Sequence, residues 1–392
     1  MLRAGIARET RVLAIVPSSY CYGLQNLTLA MFARLSTRVK PFFLNTVWND
    51  GEFPRRLDAL GIPHKETYFG MVSRKFNLRV MKWVLHGLVL LPLGWFDFIQ
   101  IVRRFRPDVI YFAERHAVIQ LFPLVVWMRR KVVFHIHDPA PAVAFQRASF
   151  AVWRRAVGRF IFISGSVRER TALLGRLGPR DIVVTNGVRV VPLSLPRQRA
   201  ERFARQFGWS DDCLVVGITG QMTETKGHED FLAAAKRCVA VNPRLRFVIG
   251  GKPLEPFATR LRELAREPAL CGVVGFAGWL PTSQEFFEAV DILVLASRHD
   301  EGFGLVIAEA MERGVAVVST RSGGAVEIIE HGVSGFLIEK RAPEKLAACL
   351  LSLAADDSLR LRVAAAGRKR VEQFFNLERQ AVLFEEVLRY AD

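Results

Sequence analysis

DILVLASRHDEGFGLVIAEAMERGVAVVST, residues 291–320, decides the architecture. DILVLAS (291–297) and VAVVST (315–320) are short β-rich apolar runs without polar alternation, as expected of parallel strands buried on both faces. Between them LVIAEAMER has helical spacing and stops at Gly314, so the stretch reads as strand, helix, parallel strand. The loop between the first strand and the helix carries DEGFG. It sets Glu301 and Glu309 eight residues apart around Gly-Phe-Gly, one before the helix and one inside it.

The same alternation runs outward in both directions. Upstream, LVVGITG (214–220), RFVIGG (246–251) and VVGFAG (273–278) belong to the same series. An earlier series comprises RVLAIVP (11–17), DVIYFA (108–113), KVVFHIH (131–137), FIFIS (160–164) and DIVVTNG (181–187). Two such series predict an α/β chain of two doubly wound domains, each offering its ligand site at the carboxyl ends of its strands. Residues 1–190 form the first, the polar and basic stretch 191–206 a linker, and 207–373 the second. At 392 residues the chain has room for both cores.

Charge divides the chain as sharply. Residues 1–190 hold 29 Lys and Arg against 11 Asp and Glu; the remainder holds 26 against 27. The net charge of +17 therefore belongs to the first half, which suits an anionic surface or ligand. No zinc-finger, RNA-recognition or heptad basic pattern accompanies it, so nucleic acid would rest on charge alone. The segment SRKFNLRVMKWVLHGLVLLPLGWF (73–96) opens with Arg74, Lys75, Arg79 and Lys82 and runs uncharged from Trp83. Those fourteen residues, interrupted by Gly87, Pro92 and Gly94, are expected to lie at a membrane interface rather than cross it. Five scattered cysteines without CxxC spacing argue for a reducing compartment, and the amino terminus has too short an apolar run for a secretory signal.

Three elements of the second half suit a nucleotide. Gly220 turns the chain off a strand, and Lys226 then precedes a helix whose apolar side is Phe231, Leu232, Ala235 and Val239; such a lysine can meet a phosphate. Gly302 and Gly304 around Phe303 leave backbone N–H groups open at a helix start, a second anion-binding element. A carboxylate accepts hydrogen bonds from neighbouring hydroxyls, so Glu301 and Glu309 could read a sugar and a ribose on either side of a diphosphate.

Residues 278–320, from GWLPTSQEFF through the Glu301-x7-Glu309 pair to VAVVST, resemble the signature region of the family 4 retaining glycosyltransferases of the GT-B fold. The likeness extends to TKGH (225–228), SGGAVEIIEHGVSGFLI (322–338) and FFNLERQAVLFEEVLRY (374–390), and more loosely to the Gly23 loop, RPDVIYF, HIHD and TNGV. It implies two Rossmann-like domains facing a cleft, with residues 374–392 crossing back to the first domain. It further implies that Glu301 holds the donor sugar, Glu309 the ribose, and Lys226 with the amides near Phe303, Gly304 and Leu305 the diphosphate. Gly23 would lie near the phosphates and His137 near the transferred sugar. His135 shares that strand face, and a core role suits it better. Gly220-Gln221 stands where the family commonly has an arginine, so one diphosphate charge is missing, and Arg189 follows TNGV where an acid is usual. No Asp-x-Asp pair is present to hold a cation, so the expected enzyme is a metal-independent hexosyltransferase without cofactor. Its donor would be a UDP- or GDP-sugar and its acceptor a saccharide or lipid-linked hydroxyl in cell-surface polysaccharide or lipopolysaccharide synthesis. A cytoplasmic protein, peripheral on the inner face of the membrane, is the corresponding expectation. The alternatives are a GT-B epimerase, a phosphorylase or a sugar-nucleotide-binding scaffold.

Overall fold

The computed structural model describes the chain except residues 1–8, 18, 20, 22, 70–77, 139–142, 193–200, 281–282 and 390–392. It divides into two compact units, Met1–Asn186 with Leu377–Asp392, and Gly187–Asn376.

Among the described residues the first unit holds a sheet of seven strands: β1 (Thr10–Ile15), β2 (Val39–Thr46), β3 (His64–Thr67), β4 (Val109–Phe112), β5 (Val132–Ile136), β6 (Arg159–Phe162) and β7 (Ile182–Val183). All are parallel, in the order β3-β2-β1-β4-β5-β6-β7. The order reverses between β1 and β4, which opens a crevice at their carboxyl ends. Strands β2 and β3 escape the sequence reading because VKPFFLNT carries a lysine and a proline, and HKET is a polar edge strand. The final helix, Leu377–Arg389, completes this unit. Phe384 packs edge-on against Phe32 and Tyr111, Glu378 pairs with Arg34, and Arg159 donates to the carbonyl of Val387.

The second unit is a parallel sheet of six: β8 (Leu214–Thr219), β9 (Leu245–Gly250), β10 (Val274–Gly278), β11 (Ile292–Leu295), β12 (Ala316–Thr320) and β13 (Phe336–Ile338). Its order is β10-β9-β8-β11-β12-β13, reversing between β8 and β11. Strands β11 and β12 are buried along their whole length, as their unbroken Val, Ile and Leu content requires. Of the expected linker, residues 193–200 lie outside the described residues, and Glu201–Phe207 is helical.

The segment 73–96 differs from its expected interrupted form. A continuous helix runs from Leu78 to Phe105, through Pro92. Within it, residues 85–105 are long and apolar enough to cross a membrane by length and hydropathy. Part of this helix is nonetheless built into the unit. Asp97 accepts from Lys65 and Thr67, Trp95 Nε1 donates to Gln120 O, and Phe98 and Ile101 are buried. A β-carbon on Gly94 would collide with Tyr68 O, so this glycine permits the close approach. The opposite side presents Leu85, Leu88, Val89 (74% exposed), Leu93 and Phe96. Arg74 and Lys75 lie outside the described residues, as do the side chains of Arg79, Lys82 and Trp83.

Candidate active site

The second-unit site is built where the topology reverses. Lys226 follows β8 and Glu301 follows β11, the two strands on either side of the switch. Three backbone contacts fix their approach. Gly227 has φ of 73° and its missing β-carbon leaves room for Ala296 O. Arg298 N donates to Thr225 O at 2.8 Å, and Gly324 N donates to Glu301 O at 3.1 Å. A β-carbon on Gly323 would also strike Glu301 O, so the 300–304 loop is held between the Thr225–His228 turn and the Ser322–Gly324 turn.

This brings Lys226 Nζ to 2.8 and 3.0 Å from the two carboxylate oxygens of Glu301, and Ser297 Oγ donates to the same carboxylate. The lysine thus stands paired with Glu301, where sequence reasoning gave it only a phosphate. An ammonium has three donors, so it can hold Glu301 and still face an anion. Phe303 is buried against Phe375, anchoring the loop and leaving its backbone as the part available to a ligand. Gly304 takes φ of 93° and starts the helix Leu305–Glu312, whose Ile307, Ala308 and Met311 face the core. Glu309 lies one turn inside. Burial pushes its carboxyl up to about 7, against a lowering bond from Ser283.

Gly220 leaves β8 with φ of 147°, and a β-carbon on Gly251 would collide with its carbonyl, so the two turns are packed together. Gln221 is exposed. Sequence reasoning missed Arg298. Its guanidinium bonds both oxygens of Asp230 at 2.9 and 2.7 Å and Glu229 at 3.0 Å, which raises its pKa further. The fork is spent on tying the Arg298 loop to the helix that starts at His228, so it does not replace the arginine absent at Gln221. His228 is wholly buried and burial lowers its imidazole to about 4, a neutral core group.

A second set of groups lines a pocket of about 220 Å³ in the first unit, at the carboxyl ends of β4 and β5 beside the switch point there. His137 borders it with Nε2 buried and unpaired, and burial lowers this imidazole to about 4. Its neighbour His135 is a core group: Tyr111 OH lies 2.9 Å from Nδ1 and Phe384 stacks on the ring. Glu114 was not legible in the sequence. It receives Gln25 Nε2 at 3.3 Å, His116 Nε2 lies 3.2 Å away, and burial lifts its carboxyl to about 7. A carboxyl that titrates near 7 can donate toward a hydroxyl as the acid or accept from it as the carboxylate. Gly23 opens the helix Gly23–Phe32 and a β-carbon there would meet nothing, so space alone does not require glycine.

Residues 200–370 match the family of glycosyl transferases group 1. That segment is a group 1 glycosyltransferase domain. It contains Lys226, Glu301 and Glu309 together. The lipopolysaccharide core biosynthesis glycosyltransferase LpsE of Rhizobium meliloti is 33% identical over 167 residues, 43% of this chain and 47% of LpsE. A D-inositol 3-phosphate glycosyltransferase of Geodermatophilus obscurus is 31% identical over 209 residues, 51% of this chain and 45% of that protein. The matches thus span about half the length of these relatives. The crystal structure of Anabaena HepE in complex with UDP and glucose superposes with a TM-score of 0.80 at 21% identity, covering 97% of this chain and 99% of HepE. The GT-B architecture therefore extends over both units, while the group 1 signature lies in the second.

Proposed function

We propose that this protein is a metal-independent, retaining glycosyltransferase of family 4, moving a hexose from a nucleoside-diphosphate sugar to a hydroxyl of a saccharide or lipid-linked acceptor. The observation that carries the reading is the placement of Lys226, Glu301 and the Phe303–Leu305 helix start around the switch of one parallel sheet, inside the group 1 segment.

In this reading the Lys226 ammonium and the amides at 303–305 stabilise the departing diphosphate, charge stabilisation by groups already in place. Glu301 accepts hydroxyls of the sugar and Glu309 those of the ribose. The acceptor hydroxyl attacks the anomeric carbon on the face the diphosphate leaves. One carbon–oxygen bond forms, the bond to phosphate breaks, and a leaving phosphate oxygen takes the proton. His137 contributes a neutral imidazole toward the transferred sugar. The complex of HepE with UDP and glucose supports a uridine donor first. The name of LpsE and the apolar exposed side of the Leu78–Phe105 helix support an acceptor presented at the inner face of a membrane.

A thermal-shift screen of UDP-, GDP- and ADP-sugars tests the donor, since a ligand of the folded state alone raises the midpoint. Hydrolysis of the selected donor, abolished in Glu301→Ala, tests the chemistry. The absence of any donor binding would overturn the proposal.

A further inference from the structure

The amino ends of β5, β6 and β7 carry a feature that the donor and acceptor chemistry does not use. A pocket of about 300 Å³ is lined by Arg129, Arg154, Gly158, Arg159, Gly178, Pro179 and Arg180. Arg129 comes from the 3-10 turn Val126–Lys131 that leads into β5. Gly158 and Arg159 lead into β6, and residues 178–180 lead into β7. The pocket therefore sits at the end of the first sheet opposite to His137 and Glu114.

Its charge is only partly compensated. Every charged residue lining it is an arginine. The nearby carboxylate, Asp181, is fully buried and already committed: it holds Arg154 Nη1 at 3.1 Å with each oxygen and accepts from the backbone N–H groups of Phe160 and Gly178. A β-carbon on Gly178 would meet Arg154 Nη2 at 2.9 Å, so the glycine leaves room for this guanidinium. Among the described residues, Arg129 and Arg180 make no ion pair. Burial, and then repulsion from Arg180, lowers the pKa of Arg159, against a raising attraction from Asp181. Like charges brought together on three separate connections, over a fixed carboxylate that orients one of them, are what a tetrahedral oxyanion requires.

We propose that this pocket is a phosphate-binding site separate from the glycosyl-transfer site. Trp127, on the same turn as Arg129, is 91% exposed. An indole beside arginines matches the headgroup level of a bilayer, so a phospholipid headgroup is one source of the phosphate and a free phosphate compound the other.

The test uses the full chain and the variant Arg129→Ala/Arg180→Ala, whose side chains support no ion pair. Arg38→Ala/Arg168→Ala removes the same charge elsewhere on the unit and serves as the control. Inorganic phosphate should raise the melting midpoint of the wild type and the control, but not of the pocket variant, against sodium chloride at matched ionic strength. Co-sedimentation with vesicles of equal parts phosphatidylcholine and phosphatidylglycerol should weaken in the pocket variant by roughly fivefold per arginine, and by less in the control. Loss of both responses identifies a headgroup site, and loss of the phosphate response alone a site for a soluble phosphate compound. A pocket variant indistinguishable from the wild type, or from the control, overturns the proposal. Binding of the donor sugar should be the same in all three proteins, so this result is independent of the one at Glu301.

Discussion

Lys226 and Glu301, 75 positions apart in the chain, form an ion pair with the ammonium within 3.0 Å of both carboxylate oxygens. Each half belongs to a different strand-to-helix loop, and the pair marks where the two loops meet. Their side chains keep 33% and 18% of their surface. The pair is thus reachable by a ligand and only partly shielded from solvent.

Lys226→Ala should lower kcat/KM for transfer by about a hundredfold or more, in the range found when a preorganised charge-stabilising group is lost. The cost to stability should stay near 1 kcal/mol, because a partly solvated ion pair contributes little. Donor-hydrolysis kinetics alongside urea unfolding measure both. A large loss of stability with little loss of rate would assign the pair to the fold.

Glu309 should make donor affinity depend on pH. Its carboxyl titrates near 7, and only the ionised form accepts hydrogen bonds through both oxygens. Affinity for the nucleoside diphosphate should therefore rise, by about tenfold, as pH passes from 6 to 8. Glu309→Gln should flatten that rise. Calorimetric titration at several pH values decides it.

Glu114 should leave a mark on stability instead. Its folded-state pKa is raised to about 7 by burial, so between the unfolded value of 4.5 and 7 the native state holds the extra proton. Stability therefore falls as pH rises through this window, by up to about 3 kcal/mol. Glu114→Gln keeps the shape and should remove this carboxyl's share of the fall, leaving the share of Glu309, which burial raises alike. Denaturant midpoints at pH 5 and pH 8 for both proteins would show it; identical slopes in the two would refute it.

Arg298→Ala should cost about 2–4 kcal/mol by leaving Asp230 without its partner and Glu229 with Arg260 alone, in the range for a broken, partly buried network. Donor binding should weaken with it, since the Arg298 loop positions Glu301. Arg298→Lys restores the charge but not the fork and should recover only part of the loss. Thermal midpoints with and without donor provide the comparison.

Much of this was legible in the chain itself. Unbroken Val, Ile and Leu runs such as ILVL and AVVST can be covered only from both sides, so they specify parallel strands between helices without any contact being known. Gly304 and Gly314 bound one helix because each takes a positive φ that other residues resist. The spacing of Glu301 and Glu309 about that helix start followed directly. HKET at the sheet edge carried no such signal, because its strand conformation comes from the neighbour it pairs with.

What the tertiary structure alone decided is which distant groups meet and how deeply they are buried. Lys226 finds Glu301 because β8 and β11 are adjacent across the switch, a relation that depends on strand order and not on local pattern. Nothing in the sequence marks Glu114 or Glu309 as buried. They titrate near 7 because packing removes water from them, and desolvation is a property of surroundings that a linear pattern does not contain. The arginines at 129, 154, 159 and 180 are scattered charges in the chain and one pocket in the fold, because three neighbouring strands begin at the same end of a sheet.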